Sequence, residues 1–215
     1  MPKRSILKPI KLHHLHPMKL RAHALLLCAA LASLNIFASP GHSAPAIMSE
    51  NISMEEVKTA QQGWCNALVS ISSTYEKDGL KKAKSLAGDV IDAAYGYNLG
   101  PVAFKPTWAT GEQTFRPTRR GALSYFVGGD SKYNDKGFAI GSPEATRSPW
   151  VDCTIENAVI QLRGNTASTM GWVHTTAKDG YESTVDKTWT FIKDENGDLR
   201  IILHHSSTPY AGFEH

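Results

Sequence analysis

Four extended runs crowded into the end of the chain leave little freedom of architecture. Residues 151–163, 167–177, 181–193 and 199–207 are rich in β-branched and aromatic side chains, and only Gly164-Asn165, Lys178-Asp179-Gly180 and Asn196-Gly197-Asp198 separate them. Short connections holding Gly with Asn or Asp join antiparallel neighbours, because left-handed turn residues match the twist of a hairpin. Parallel neighbours need a crossover of roughly a dozen residues or more. The C-terminal part of the chain therefore reads as an antiparallel meander.

The preceding segment has a helical period. Ser53 and Glu56 form an S-x-x-E capping box, and Val57, Ala60, Trp64, Ala67, Leu68 and Ile71 follow at helical spacing, which predicts an amphipathic helix of about 20 residues. A second helical pattern uses Leu80, Ala83, Leu86, Val90 and Ala94, is interrupted by Gly88 and stops near Gly96. Residues 102–106 read as a short extended piece, since Pro106 biases its predecessor away from helix, and Gly111 with residues 114–116 as a second. Thr118 can cap a short helix over Arg119–Val127 that Gly128-Gly129 ends. The polar, Gly-, Ser- and Pro-rich stretch 130–149 reads as a surface loop, and loops of that length in a small domain are usually functional. Helices first and a meander afterwards predict an α+β domain, its N-terminal helices packed on one face of a strongly curved, mostly antiparallel sheet.

Charge separates the first 44 residues from the rest. They hold Lys3, Arg4, Lys8, Lys11, Lys19 and Arg21 and no carboxylate; without them 17 Lys and Arg face 20 Asp and Glu, so the +3 of the full chain becomes −3. From Met18, a candidate start, a basic pair leads into an apolar run over 24–32 and then into small residues ending at Ala44. This is the pattern of a secretory signal, too short for the ~20 apolar residues of a membrane span. The expected organisation is a signal at 1–44, a flexible segment at 45–53, a single domain at 54–210 and a tail at 211–215. The expected location is periplasmic or secreted, with an organelle-targeting segment as the alternative. The acidic remainder has no basic stripe, which argues against nucleic acid as a partner. Cys65 and Cys153 sit in no closely spaced ligand motif and read first as buried apolar thiols, with pairing left open.

The chain closes with LHHSSTPY, residues 203–210. Strand alternation puts Leu199, Ile201, Leu203, His205 and Ser207 on one face and His204 and Ser206 on the other. On that reading an apolar face runs into His205 and Ser207, able to hold a small polar ligand or water. The two adjacent histidines point apart, so a metal site must be assembled across strands, from His205, His174 and Asp186 for example. Neighbouring serines without a strand-turn-helix elbow do not make a hydrolase triad. Asp186 beside Lys187 reads as a surface ion pair, and Trp64, Trp108, Trp150, Trp172 and Trp189 as core or dimer contacts.

Three blocks taken together resemble a known family. GPVAFKPTWATGEQTFRPTRRGALSYFVGGD at 100–130, TVDKTWTF at 184–191 and LRIILHHSSTPY at 199–210 are similar to the iota-class carbonic anhydrases, in particular the metal-free branch. The likeness runs from about Glu55 to Tyr210. It implies the cone-shaped fold of the nuclear transport factor 2-like and SnoaL-like group, usually a homodimer, and reversible hydration of CO2 to bicarbonate without a cofactor. Zinc or manganese is the alternative. By motif it assigns the catalytic roles to Thr107 of FKPT, Tyr125 of ALSYF, and His205 and Ser207 of the last strand, and the apolar pocket wall to Phe126 and Phe138. Two departures are a longer segment at 142–149 and Thr208 ahead of Pro209. Related cones also serve as noncatalytic ligand-binding or association modules or as SnoaL-like isomerases, for which Asp186 with His205 is the available pair.

Overall fold

A computed structural model describes residues 49–144 and 147–212; the leader, with its candidate start and cut, lies outside them. The first element is α1 (Met54–Ala94). Ser53 caps it as the sequence predicts: its hydroxyl accepts from the Glu56 N–H at 3.2 Å, and its own N–H donates to Glu56 Oε2 at 2.8 Å. Glu56 also meets Lys193 at 2.6 Å, which ties the helix start to a distant strand end. The two helical patterns of the sequence are the arms of this one element, joined at a kink where Gly79 has φ 77° and ψ −179°, a conformation that glycine alone adopts freely. Gly88 does not interrupt the second arm. It makes room for Arg119, whose Nη2 lies 3.2 Å from where a Cβ would stand and donates to the Gly88 carbonyl.

The strands are β1 (Ala103–Lys105), β2 (Trp150–Arg163), β3 (Thr166–Ala177), β4 (Glu182–Lys193) and β5 (Leu199–Ser207), in the sheet order β1-β5-β4-β3-β2. The meander is antiparallel throughout, and β1 joins its edge in parallel with β5. The α+β architecture is the one expected. The extended piece around 114–116 is not a strand. Gly111–Gln113 forms a short 3-10 turn, and the Arg116 N–H donates to the Phe104 carbonyl at 2.8 Å, so the chain folds back on β1. The second helix, α2 (Arg119–Val127), has its N-cap hydroxyl on Thr118 and ends at Gly128, as the sequence indicates.

The core lies between α1 and the inner face of the sheet, where Val57, Trp64, Leu68 and Ile71 meet the odd-numbered row Val173, Val185, Trp189 and Phe191. Gln61, buried among them, exchanges two hydrogen bonds with the Asn157 amide at 2.9 and 2.8 Å and so satisfies both side chains. Cys65 and Cys153 form a disulfide, which corrects the reading as free thiols. The helix lies directly over β2, and a Cα separation of 5.2 Å is within bonding range; sequence spacing carries no trace of that juxtaposition.

Besides an irregularity at the start of β2, between Trp150 and Asp152, two bulges shape the sheet. One lies in β2 between Asn157 and Val159 and presses the Glu156 carbonyl to 2.0 Å from where a Cβ on Gly171 would stand, so only glycine fits there. The other lies in β5. Thr190 faces Leu203 but Phe191 faces Ile201, leaving Ile202 as the extra residue. Such an insertion flips the facing of every residue beyond it.

Candidate active site

The bulge at Ile202 decides which groups of β5 reach the interior. Ile201 is buried, and after the extra residue the buried positions are His204 and Ser206, while His205 is exposed. Uninterrupted alternation turned His205 and Ser207 inward; the structure turns both outward. His205 lies in an outer groove with Phe115, Leu203 and Lys105, and Ser207 donates to Asp186 Oδ2 at 3.3 Å. Asp186 accordingly makes its contact on the outer face instead of in a pair with its neighbour Lys187. His174 is also on this outer side, bonded to Thr184 at 2.9 Å, and among the described residues no group of three or more His, Cys, Asp and Glu side chains is placed to hold a metal ion.

On the inner side three hydroxyls converge. β1 runs alongside β5 with Lys105 opposite His205, which carries Thr107, two residues on, over Ser206. Their hydroxyl oxygens are 2.5 Å apart. Lys105 Nζ donates to the Ser206 carbonyl at 2.9 Å and holds the strand end in place. Tyr125, on the buried side of α2, meets the Thr107 side chain and the backbone of Thr107 and Trp108. Burial raises its phenol well above the ordinary range, against the opposing pull of those contacts. The Tyr125 hydroxyl is therefore a donor or acceptor that stays protonated at any neutral pH.

Tyr125 opens onto a cleft of about 260 Å³ lined by Trp108, Phe138, Asp135, Lys136 and Arg147 among others. Phe138 stacks on Tyr125, with ring centroids 5.7 Å apart, and Trp108 packs edge-on against Phe138 at 4.9 Å. Phe138 thus lines this cleft. Phe126 does not. As the next residue on α2 it points into the core, stacks on Phe104 and borders a tight crevice with Trp64, Tyr95 and Ala139. The 130–149 loop supplies much of the cleft rim, and Asp135 is fixed from beneath by Arg116 at 2.9 Å and Ser124 at 2.6 Å.

Behind the hydroxyls lies a second buried polar row. Trp64 Nε1 donates to the Tyr95 hydroxyl at 3.1 Å, that hydroxyl is 2.8 Å from His204 Nδ1, and His204 Nε2 is 2.8 Å from Lys187 Nζ. Burial, then the neighbouring Lys187, holds the His204 imidazole well below its usual range, so it is neutral. Burial, with Lys105 nearby, brings the Lys187 ammonium down to about 7. The sequence reading passed over Ser206, His204 and Lys187. A signal existed for Lys187, the one charged residue in the otherwise apolar inward row Val185, Lys187, Trp189, Phe191.

Thr107, Tyr125 and a β5 serine thus come together, with Tyr125 on the wall of the cleft, on the blocks that carried the family resemblance. A sequence profile described as metal-independent carbonic anhydrase matches residues 55–208. A metal-independent carbonic anhydrase from Nostoc sp. is 54% identical over 165 residues, covering 76% of this chain and 77% of its own. The crystal structure of a cyanobacterial iota-carbonic anhydrase complexed with bicarbonate superposes with a TM-score of 0.74 at 52% identity, over 79% of this chain and all of that one. A nuclear transport factor 2-like superfamily protein from Salmonella enterica aligns at 17% identity and a TM-score of 0.40, over 73% of this chain and 96% of its own. The chain belongs to the metal-independent carbonic anhydrase family.

Proposed function

We propose that the Thr107–Tyr125–Ser206 cluster is the site at which this carbonic anhydrase hydrates CO2. The observation that carries the proposal is the 2.5 Å contact between the Thr107 and Ser206 hydroxyls, beside the buried Tyr125 phenol at the mouth of an aromatic cleft. CO2 is apolar and linear and suits the faces of Phe138 and Trp108. The attacking water needs polar partners, and the three hydroxyls offer both donors and acceptors. In the reaction the water oxygen bonds to the CO2 carbon, one water O–H breaks, and negative charge grows on the CO2 oxygens. Preorganised donors in a partly dry site stabilise that charge more than water does, and holding the two reactants together removes an entropic cost. In this scheme Ser206 takes the role that the resemblance implied for Ser207, and His204 that of His205.

No step in this scheme uses a metal ion, in keeping with the family's description. Stopped-flow CO2 hydration by chelator-treated protein, with elemental analysis of the same sample, tests this. Activity without bound metal is the expected result, and activity that returns only with zinc or manganese overturns it.

Export and self-association complete the proposal. The Cys65–Cys153 disulfide supports an oxidising compartment, in line with the leader's secretory pattern and a periplasmic or secreted location. The exposed apolar residues Met170, Trp172 and Val159 on the outer face of the sheet support a homodimer formed through that face. Signal-cleavage mapping and light scattering test these two points.

A further inference from the structure

The buried row behind the hydroxyls can be assigned its hydrogens. Trp64 Nε1 can only donate, so the Tyr95 oxygen accepts. In one arrangement the Tyr95 O–H donates to His204 Nδ1, His204 Nε2–H donates onward, and Lys187 accepts it on an amine lone pair. Every hydrogen on the row then has a use. In the other arrangement Lys187 is an ammonium donating to Nε2, Nδ1–H donates to Tyr95, and the Tyr95 oxygen takes two donors. The Tyr95 hydrogen is then left over among rings, since Phe104, Phe126 and Tyr97 stand around it, and an unmet buried donor is costly. Lys187 Nζ has no carboxylate partner among the described residues; it lies over the indole rings of Trp64 and Trp189 at 5.0 and 5.4 Å. Those faces can also receive the remaining amine N–H groups.

In the β4–β5 register Lys187 stands directly opposite Ser206, and His204 lies two residues before it on the same inward side. The charged and titratable groups around Lys187 are Lys105 from β1, His204 and the outward His205 from β5, Tyr95 after α1, and Asp186 on the other face of its own strand. Lys105 opposes a second positive charge there, and the buried imidazole and phenol do not offset one.

We propose that Lys187 stands as a neutral amine in the working enzyme and is the positioning residue that, through His204, gives the wall behind Ser206 its capacity to take up the proton released by hydration. This rests on the assignment of the Thr107–Tyr125–Ser206 site. The balance is simple. The O–C bond forms, a water O–H breaks, and the proton finishes on Nζ, turning amine into ammonium while His204, still carrying one hydrogen, passes to its other tautomer. Deprotonation to solvent resets the row, and bicarbonate dehydration runs it backwards. A fall of Lys187 to about 7 through burial fits this cycle, since a group that exchanges protons works best near the ambient pH.

The test uses the full-length protein labelled with ¹⁵N-lysine, with the Lys187 resonance followed across pH and identified by its absence in Lys187→Met. An amine that titrates near neutrality is expected; a resonance that stays ammonium-like to pH 9 overturns the proposal. The hydration rate of the wild type is expected to fall about tenfold per pH unit below that titration, and Lys187→Met to lose this limb while running at least tenfold slower at pH 8. An unchanged limb in the variant overturns the proposal. The wild-type titration keeps it testable if Lys187→Met does not fold. Thr107→Val separates the two readings: full hydration activity in that variant defeats the site assignment, whereas a persistent ammonium beside an inactive Thr107→Val defeats only the role of Lys187.

Discussion

The hydroxyls of Thr107 and Ser206 lie 2.5 Å apart although 99 positions separate them in the chain. The contact exists because β1, only three residues long, pairs in parallel with β5 at the sheet edge. Removing either hydroxyl leaves the other beside a hole. Ser206→Ala and Thr107→Val should each lower CO2 hydration by about 10²-fold, the usual loss for one preorganised donor, as read by stopped-flow with a pH indicator.

The facing of β5 predicts opposite outcomes for adjacent histidines. His205→Ala removes an exposed ring from the outer groove and should stay within about twofold of wild type. His204→Ala opens the buried row and should lose most activity together with stability, since a buried polar network missing one member strands the others. Parallel hydration assays and thermal melts on the two variants decide the parity directly.

Tyr125→Phe keeps the ring stacked on Phe138 and removes only the hydroxyl. Hydration should fall by roughly 10²-fold with a near-native circular dichroism spectrum. Because burial raises the phenol of Tyr125, as it does that of Tyr95, the folded protein keeps these protons after the unfolded chain has lost them. Stability should therefore fall as pH rises past about 10, which denaturant titrations at pH 9 to 11 can measure.

Acid should act through the other buried groups. Lys187 and His204 are both lowered on folding, so from Lys187's folded value of about 7 up to its ordinary value of 10.5 the unfolded chain holds a proton on the lysine that the native protein does not. Stability should rise with pH through that window, by up to about 1.4 kcal/mol per pH unit for one proton. His204 should add a loss as pH falls below its ordinary range. Lys187→Met should flatten the rise; a pH slope unchanged from the wild type would contradict the sign.

Reduction is a separate handle. The Cys65–Cys153 bond closes a span of 88 residues between α1 and β2, and breaking it should cost about 2–5 kcal/mol. Urea melts with and without reductant, and of Cys65→Ser/Cys153→Ser, give the figure. The hydroxyl cluster lies just after β1 and on α2 and β5, so hydration at room temperature should survive reduction.

Much of this molecule can be read directly from local sequence. The Ser53 capping box, the Thr118 cap and the Gly-containing turns are short-range chemistry, and helix starts and strand limits followed from them. Thr107 and Tyr125 were reached through motif resemblance and Phe138 with them. The Ile202 bulge was not legible, because an extra residue in a strand is defined by its partner and not by its own neighbours; that one insertion turns His204 and Ser206 inward and His205 and Ser207 outward. Phe126 lies off the cleft that Phe138 lines, because consecutive residues on a helix point about a third of a turn apart and Tyr125 is the one that faces the cleft. The disulfide depended on how α1 lies over β2, which no spacing within either segment records.

The glycine at 171 turns that strand into a fixed ruler. Its missing Cβ is the space that the Glu156 carbonyl occupies, so β2 cannot slide along β3 without losing the only position where its bulge is accommodated. Lys187 is the β4 partner of this same glycine, and Ser206 is the β5 partner of Lys187. The alignment of the hydroxyl site is therefore indexed, strand by strand, to an empty position two strands away, and a methyl group added there would be felt as a misplaced oxygen at the site.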